Sequence, residues 1–311
     1  MAMSYEGTML EQLAMPTRAE VEKALLITLL KHNGIIKEFA SSEEIVNEIA
    51  GLFSLNQEQR EAVLERVYQK ENRIVKTPLW HRLLYRAADS LAKEKLVTNP
   101  KTTVQLTNRR EWMLTEKGFD AALRLLNISS EQKENLLVKS YEVQKEIKKL
   151  IDIERPKDYN PLDTKKKTQT ITRETSIRSR GFRQAVIESY DCRCCVCGLK
   201  MQTPDFMAWE VEAAHIVPHS ANGRDDVLNG IALCRLHHWA FDTGWFSLSN
   251  DCKIIVSSQI TRLPKNYGKI GEYDYFRDTL TNQKPILLPS NTTLLPHQKS
   301  VEWHRQHVFY S

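Results

Sequence analysis

Two short motifs in this chain have the spacing of metal ligands. Cys194-x-x-Cys197 is followed at once by Gly198, and Cys234-x-x-His237 comes later in the same region. Two thiolates three residues apart on a tight turn can grip one ion, and a glycine permits that turn. Together the pairs make a Cys3His set, which is tetrahedral, closed and structural, and zinc is the ion it suits. Buried free thiols are the bland alternative for any cysteine, and two correctly spaced pairs argue against it. Cys192 and Cys195 form a rival pair with the same spacing. The glycine directly after Cys197 favours Cys194 and Cys197. Cys252 stands apart and reads as a core residue.

The residues between the pairs hold further candidate groups. Trp209 to Pro218 reads as a strand that ends at proline, with His215 near its close. Ser220 to Asp225 is rich in turn residues. An apolar run follows Asp226 or Asn229, and LHHWAFD reads as a helix. The order is therefore two strands or a strand and a turn, then a helix. On that helix His237 lies three residues from Cys234 and points at the zinc. His238 is about 100° further round and faces elsewhere. Asp242 is four residues beyond His238, so the two share a face and can touch one ion. One histidine after an apolar strand is more often a satisfied core residue, and one aspartate on a helix a surface acid. The functional reading rests on the ordered set.

The segment RQAVIESYDCRCCVCG, then VEAAHIVPHSANGRDDVLNGIALCRLHHWAFDTGWFSLS, resembles the HNH (ββα-metal) nuclease family. The resemblance implies that His215 is the general base that activates water, a task a neutral imidazole can perform near pH 7. It implies that Asn229 orients His215 by hydrogen bonding, and that His238 binds the catalytic cation, which Asp242 on the same helix face can also touch. One position departs from the pattern. Many members carry Asp or His just before the base, where this chain has Ala214. Glu212 and Asp226 are candidates to supply the missing ligand. A mixed nitrogen and oxygen site that retains water fits Mg²⁺ or Mn²⁺.

The region that must position these groups runs from about Gly181 to Ser311. Arg180 and Arg183, near the start of an expected helix RGFRQAVIESY, could clamp phosphates, and so could Arg224 in the loop before Asn229. VEWHRQHVF reads as a closing helix whose Trp303 and Phe309 pack on the core. His304 is assigned no chemistry, and His219 no role.

Residues 16–128 read as a mostly helical domain. Pro16 and Thr17 open a helix carrying Val21, Ala24, Leu25, Ile27, Leu29 and Leu30, closed by Gly34. Ser41 and Ser42 are candidate caps for SEEIVNEIAGLF. Thr77 is expected to cap a helix from Pro78 that turns Leu79, Leu83, Leu84, Ala87, Leu91 and Leu96 inward. Asn99-Pro100 signals a turn, and Val104 to Leu106 with Trp112 to Thr115 a small hairpin. Three helices and a hairpin make a winged helix. With the closing Trp112, Leu114, Thr115 and Gly118, the region resembles the N-terminal domain of Mrr-type restriction proteins. In a winged helix the third helix enters the major groove. His81, Arg82 and Arg86 would then face DNA, with Lys101, Arg109 and Arg110 on the wing. A protein interface around Trp80 is the alternative.

Residues 129–180 form a helical connector and a basic linker, and Lys165 to Lys167 could run along phosphates. The fold class is thus α+β: a winged-helix domain, a connector, and a ββα nuclease domain at 181–311 with structural zinc. The net charge of +5 fits a polyanion without requiring one. No run approaches the roughly 18 apolar residues of a membrane span. The first residues lack a secretory pattern, and the crowded cysteines suit a reducing cytoplasm. The expected activity is hydrolysis of double-stranded DNA by a restriction-type or anti-phage nuclease, with a homodimer or two successive nicks to cut both strands. The Mrr-type resemblance hints at modified DNA. A non-catalytic zinc-stabilised DNA-binding protein is the competing class, and a nuclease effector controlled by a partner is a third.

Overall fold

A computed structural model describes residues 5–68, 73–129, 133, 136, 138–163, 173–262 and 274–311; at 66–68, 73–75, 173, 174 and 274 it describes the backbone alone. Lys165 to Lys167 lie outside the described residues. The chain divides into two compact units, Met1–Gln144 and Lys145–Ser311.

The first unit is built on α1 (Tyr5–Gln12), α2 (Arg18–Lys31), β1 (Ile35–Lys37), α3 (Glu43–Leu52), α4 (Gln57–Glu61), β2 (Val63–Tyr68), β3 (Arg73–Pro78), α5 (Leu79–Lys93), β4 (Val97–Thr98), α6 (Pro100–Thr107), β5 (Glu111–Leu114) and α7 (Glu116–Leu125). Thr17 starts α2 with a reciprocal capping box to Glu20, which satisfies two otherwise orphaned amides. Strands β1, β5 and β4 form an antiparallel sheet in that order. Leu25, Leu29, Leu84, Ala87, Trp112 and Phe119 fill the core.

Four local expectations are corrected here. Val104 to Leu106 is helix α6, not strand. The Asn99 side chain accepts from the Lys101 amide and Pro100 takes the first helical turn, so the Asn-Pro pair starts a helix rather than a turn. The β-branched Thr102, Thr103 and Val104 were the misleading signal. Helix α3 begins without a side-chain cap from Ser42, and α5 begins at Leu79 with Pro78, not Thr77, at its cap position. The hairpin β2–β3, paired from Val63↔Pro78 to Tyr68↔Arg73, has no counterpart among the expected elements. Its signal was the β-branched set Val63, Val67, Ile74, Val75 and Thr77.

In the second unit, α8 (Tyr141–Ile151, entering from the first) and α9 (Arg173–Ser189) precede an antiparallel pair, β6 (Val211–His215) and β7 (Gly230–Cys234). Helix α10 (Arg235–Asp242) follows β7 without a loop, which completes a ββα element. The hairpin β8 (Phe246–Leu248) and β9 (Ile254–Val256), then α11 (Asp274–Thr279) and α12 (Gln298–His307), follow it. Glycine at 230 is required by packing: a Cβ there would stand 2.4 Å from the Val186 side chain on α9.

Residues 155–161 are not a solvated tether. Tyr159 is buried and donates to Asp226 at 2.8 Å, Arg155 donates to the carbonyls of Leu295 and Pro296, and the Arg224 amide donates to the Pro161 carbonyl. An aromatic ring and two prolines in a polar stretch were the available signal.

Helix α12 packs through Val301 and His304 rather than through Trp303 and Phe309, which are only half-buried. Trp303 stacks instead on His307, one turn on. His304 lies flat on Phe241 with ring centroids 3.7 Å apart. Its Nε2 meets the Phe241 carbonyl at 3.1 Å, so Nδ1 accepts from the Ser247 hydroxyl at 2.9 Å. Burial pushes its pKa down to about 4. The unfolded chain therefore takes up a proton near pH 6.5 that the folded chain refuses, and stability falls as the pH drops from 6.5 towards 4. By pH 5 the loss from this one ring is about 2 kcal/mol. In urea titrations, the stability gap between the wild type and His304→Gln is expected to narrow by that amount between pH 7 and pH 5. A constant gap would contradict the assignment.

Candidate active site and metal centre

The four predicted zinc ligands come together. The ligand atoms of Cys194, Cys197, Cys234 and His237 all lie within 4.8 Å of one another. Cys194 Sγ is 3.7 Å from His237 Nδ1, Cys197 Sγ is 3.9 Å from Cys234 Sγ, and Cys234 Sγ is 3.0 Å from His237 Nδ1. A tetrahedron with Zn–S bonds near 2.3 Å has edges of about 3.8 Å, so the donor set fits zinc in chemistry and in size. Local sequence explains the arrangement. Gly198 adopts φ +78° and its amide returns to the Cys194 carbonyl at 2.8 Å, which closes the knuckle. Cys234 ends β7 and His237 lies in the first turn of α10. Hydrogen bonds from the neighbouring Cys194 and Cys234 thiols hold the Cys197 thiol far below its ordinary pKa, which favours the metal-binding thiolate.

The far side of His237 was not legible in the sequence. Its Nε2 lies 2.8 Å from Thr279 Oγ1, and that hydroxyl donates to the Tyr275 carbonyl. The hydroxyl must then accept from Nε2–H, which leaves the Nδ1 lone pair for the metal. The rival cysteine pair is not part of this cluster. Cys195 is buried in the core, where desolvation raises its pKa, and Cys252 is buried as expected.

A second cluster lies on β6, α10 and the loop between β6 and β7. His238 Nδ1 is 2.8 Å from Glu212 Oε2, and His238 Nε2 is 3.5 Å from Asp242 Oδ2. Burial alone would push His238 down. The Glu212 hydrogen bond and the charges of Asp242 and Glu212 outweigh it, and its pKa lies above the ordinary value. Conversely, the His238 hydrogen bond holds Glu212 down. Burial raises Asp242, against the opposing charges of His238 and His215 and with that of Glu212. The Asp242 carboxyl thus feels both imidazoles. One imidazole nitrogen beside half-exposed carboxylates is a donor set for a hard divalent cation that keeps water ligands.

His215 closes β6. Its ring stacks on Phe182 with centroids 4.1 Å apart, and its Nε2 lies 2.9 Å from Asp225 Oδ1. Here two expectations change. Asn229 does not orient His215. Its buried amide accepts from the Val217 amide and donates to the Val217 and Arg224 carbonyls, so it ties the loop, while the ring hydrogen-bonds to Asp225 instead. Asp226 is no metal ligand either. It accepts from Tyr159 and from the Leu228 amide as an N-cap. Asp225, the ring partner, is not legible in the sequence, because two adjacent aspartates in a turn give no sign of which one faces inward.

The predicted DNA contacts scatter. Arg180 is buried and so presents no surface to DNA, Arg183 is half-buried, and Arg224 is exposed beside Asp225. In the first unit, Arg82 and Arg86 both pair with the buried Glu6 carboxylate, at 2.8 and 2.6 Å. Arg110 forms a two-pronged pair with Glu38, while Arg109 and Lys101 are exposed and His81 is half-buried. Paired guanidiniums are less available to phosphate, and sequence spacing could not foresee partners so far along the chain.

Residues 194–249 match the HNH endonuclease family. The stretch spans both motifs, His215, Asn229, His238 and Asp242, and it forms an HNH endonuclease domain. Among solved structures the chain is similar to a modification-dependent TagI restriction endonuclease, with 20% identity, a TM-score of 0.30 and alignment over 42% of this chain. The alignment spans 39% of that enzyme's length. No curated protein matches the chain. No helix among the described residues is long and apolar enough to cross a membrane.

Proposed function

We propose that this chain is a metal-dependent DNA endonuclease of the restriction type, with the phosphodiester bond cut in the cluster of His215, His238 and Asp242. The observation that carries the reading is the grouping on the ββα element: His238 lies against both Glu212 and Asp242, and the Asp242 carboxyl feels the charges of His238 and of His215, which closes β6. His215 takes a proton from water as that water attacks phosphorus, the bond from phosphorus to the leaving sugar oxygen breaks, and that oxygen takes a proton from solvent. Glu212 faces the Nδ1 edge of His238, while Nε2 and Asp242 are left to hold a cation. Bound Mg²⁺ or Mn²⁺ would supply Lewis-acid stabilisation of charge on the phosphate and the departing oxygen. Cys194, Cys197, Cys234 and His237 would hold a zinc ion that ties the end of β7 to the start of α10 and plays a structural rather than a chemical part.

The first unit would choose the site. The order α2, β1, α3, α5, β4, β5 with sheet order β1-β5-β4 supports a winged-helix reading, with α5 as the helix for the major groove. The insertions α4 with β2–β3, and α6, would set the shape of that surface. One cluster serves one strand, so a double-strand cut requires a homodimer or two nicks. The test is incubation of methylated and unmethylated plasmid with Mg²⁺ or Mn²⁺. Nicked and then linear DNA is expected, and none without a divalent cation. DNA retention with no cleavage under either metal would favour a zinc-stabilised binding protein.

A further inference from the structure

We propose that Asp225 is a positioning residue for the nuclease reaction: its carboxylate fixes the tautomer of His215 so that Nδ1 is the nitrogen that receives the proton of water. The proposal rests on the nuclease reading above, because it assigns a role relative to the base.

The geometry runs as a chain of forced choices. His215 Nε2 meets Asp225 Oδ1 at 2.9 Å, and an ionised carboxylate can only accept. The hydrogen must therefore sit on Nε2. In the neutral ring Nδ1 then carries the lone pair, which is the form a general base needs. The Phe182 ring, tilted 23° from the imidazole, sets the plane in which that lone pair points. No other described residue is placed to do this work. The Asn229 side chain is engaged by the Val217 and Arg224 backbone groups, and Asp242 lies against His238.

Asp225 is also held on both sides. The Arg224 amide donates to Pro161, and the Arg224 carbonyl accepts from Asn229. Asp226 is held by the Tyr159 hydroxyl and the Leu228 amide. A carboxylate on so constrained a loop can set a ring orientation without a large entropic cost.

The decisive measurement uses the full zinc-loaded chain labelled with ¹⁵N-histidine, above pH 8 and without the second cation. Long-range proton–nitrogen spectra distinguish the two neutral tautomers. His215 is expected to be the Nε2–H form in the wild type and a mixture in Asp225→Ala. In Asp225→Asn the amide NH₂ can donate to Nε2, which favours the wrong tautomer, and the cleavage rate is expected to fall about 10²-fold. KM should stay within about twofold, zinc content should be unchanged, and Asp225→Glu should recover part of the rate. A wild-type ring in the Nδ1–H form overturns the proposal even if the variants misfold. So does an Asp225→Asn chain with wild-type rate and tautomer. A wild-type chain that never cleaves would sink the nuclease reading instead, and the spectrum would still decide the contact.

Discussion

His215→Ala is expected to lower the cleavage rate by about 10²–10⁴-fold, the range that a positioned general base contributes. The whole loss should appear in kcat, because the ring touches attacking water and no phosphate oxygen in this reading. DNA affinity should stay within about twofold of wild type. The substitution leaves a space beside Phe182, against which the imidazole is stacked. Added imidazole is therefore expected to restore part of the rate. Truncation removes no zinc ligand, so zinc content and circular dichroism should match the wild type. A variant that cuts at the wild-type rate would remove His215 from the chemistry, and with it the reading of this cluster.

Loss of the structural ion is expected to be the most damaging change of all. Structural zinc contributes about 10–16 kcal/mol of folding free energy in small zinc-binding peptides. A whole domain has only about 5–15 kcal/mol of net stability. Cys234→Ser breaks the ligand set at the junction of β7 and α10. It is expected to lower bound zinc from one ion per chain to none and to abolish the unfolding transition of Lys145–Ser311. The Met1–Gln144 unit has its own three-stranded sheet and apolar core. Helical signal should therefore fall in part only, with the first unit still melting cooperatively. Zinc analysis and thermal melts followed by circular dichroism check both halves. A zinc-free chain that keeps two transitions and cuts DNA would show that the Cys3His site is dispensable.

The two outcomes are separable in practice. One removes a proton acceptor from an intact scaffold, and the other removes the scaffold. Adding Zn²⁺ back to the His215→Ala chain should do nothing, whereas neither imidazole nor Mg²⁺ should rescue Cys234→Ser.

The sequence alone determined the cluster of Cys194, Cys197, Cys234 and His237, and the β6, β7, α10 order that carries His215, His238 and Asp242. These features are local. Turn residues, helical periodicity and three- or four-residue spacings act over one or two turns of chain, so residue types are enough to read them. The tertiary structure decided the rest: Asp225 rather than Asn229 on the imidazole, Thr279 behind the zinc histidine, Glu6 on Arg82 and Arg86, and Tyr159 on the Asp226 loop. Each of those is a polar contact made by a side chain with several accessible rotamers. Its partner is chosen by which buried group would otherwise lose its hydrogen bond, and that is settled only when the whole chain has packed.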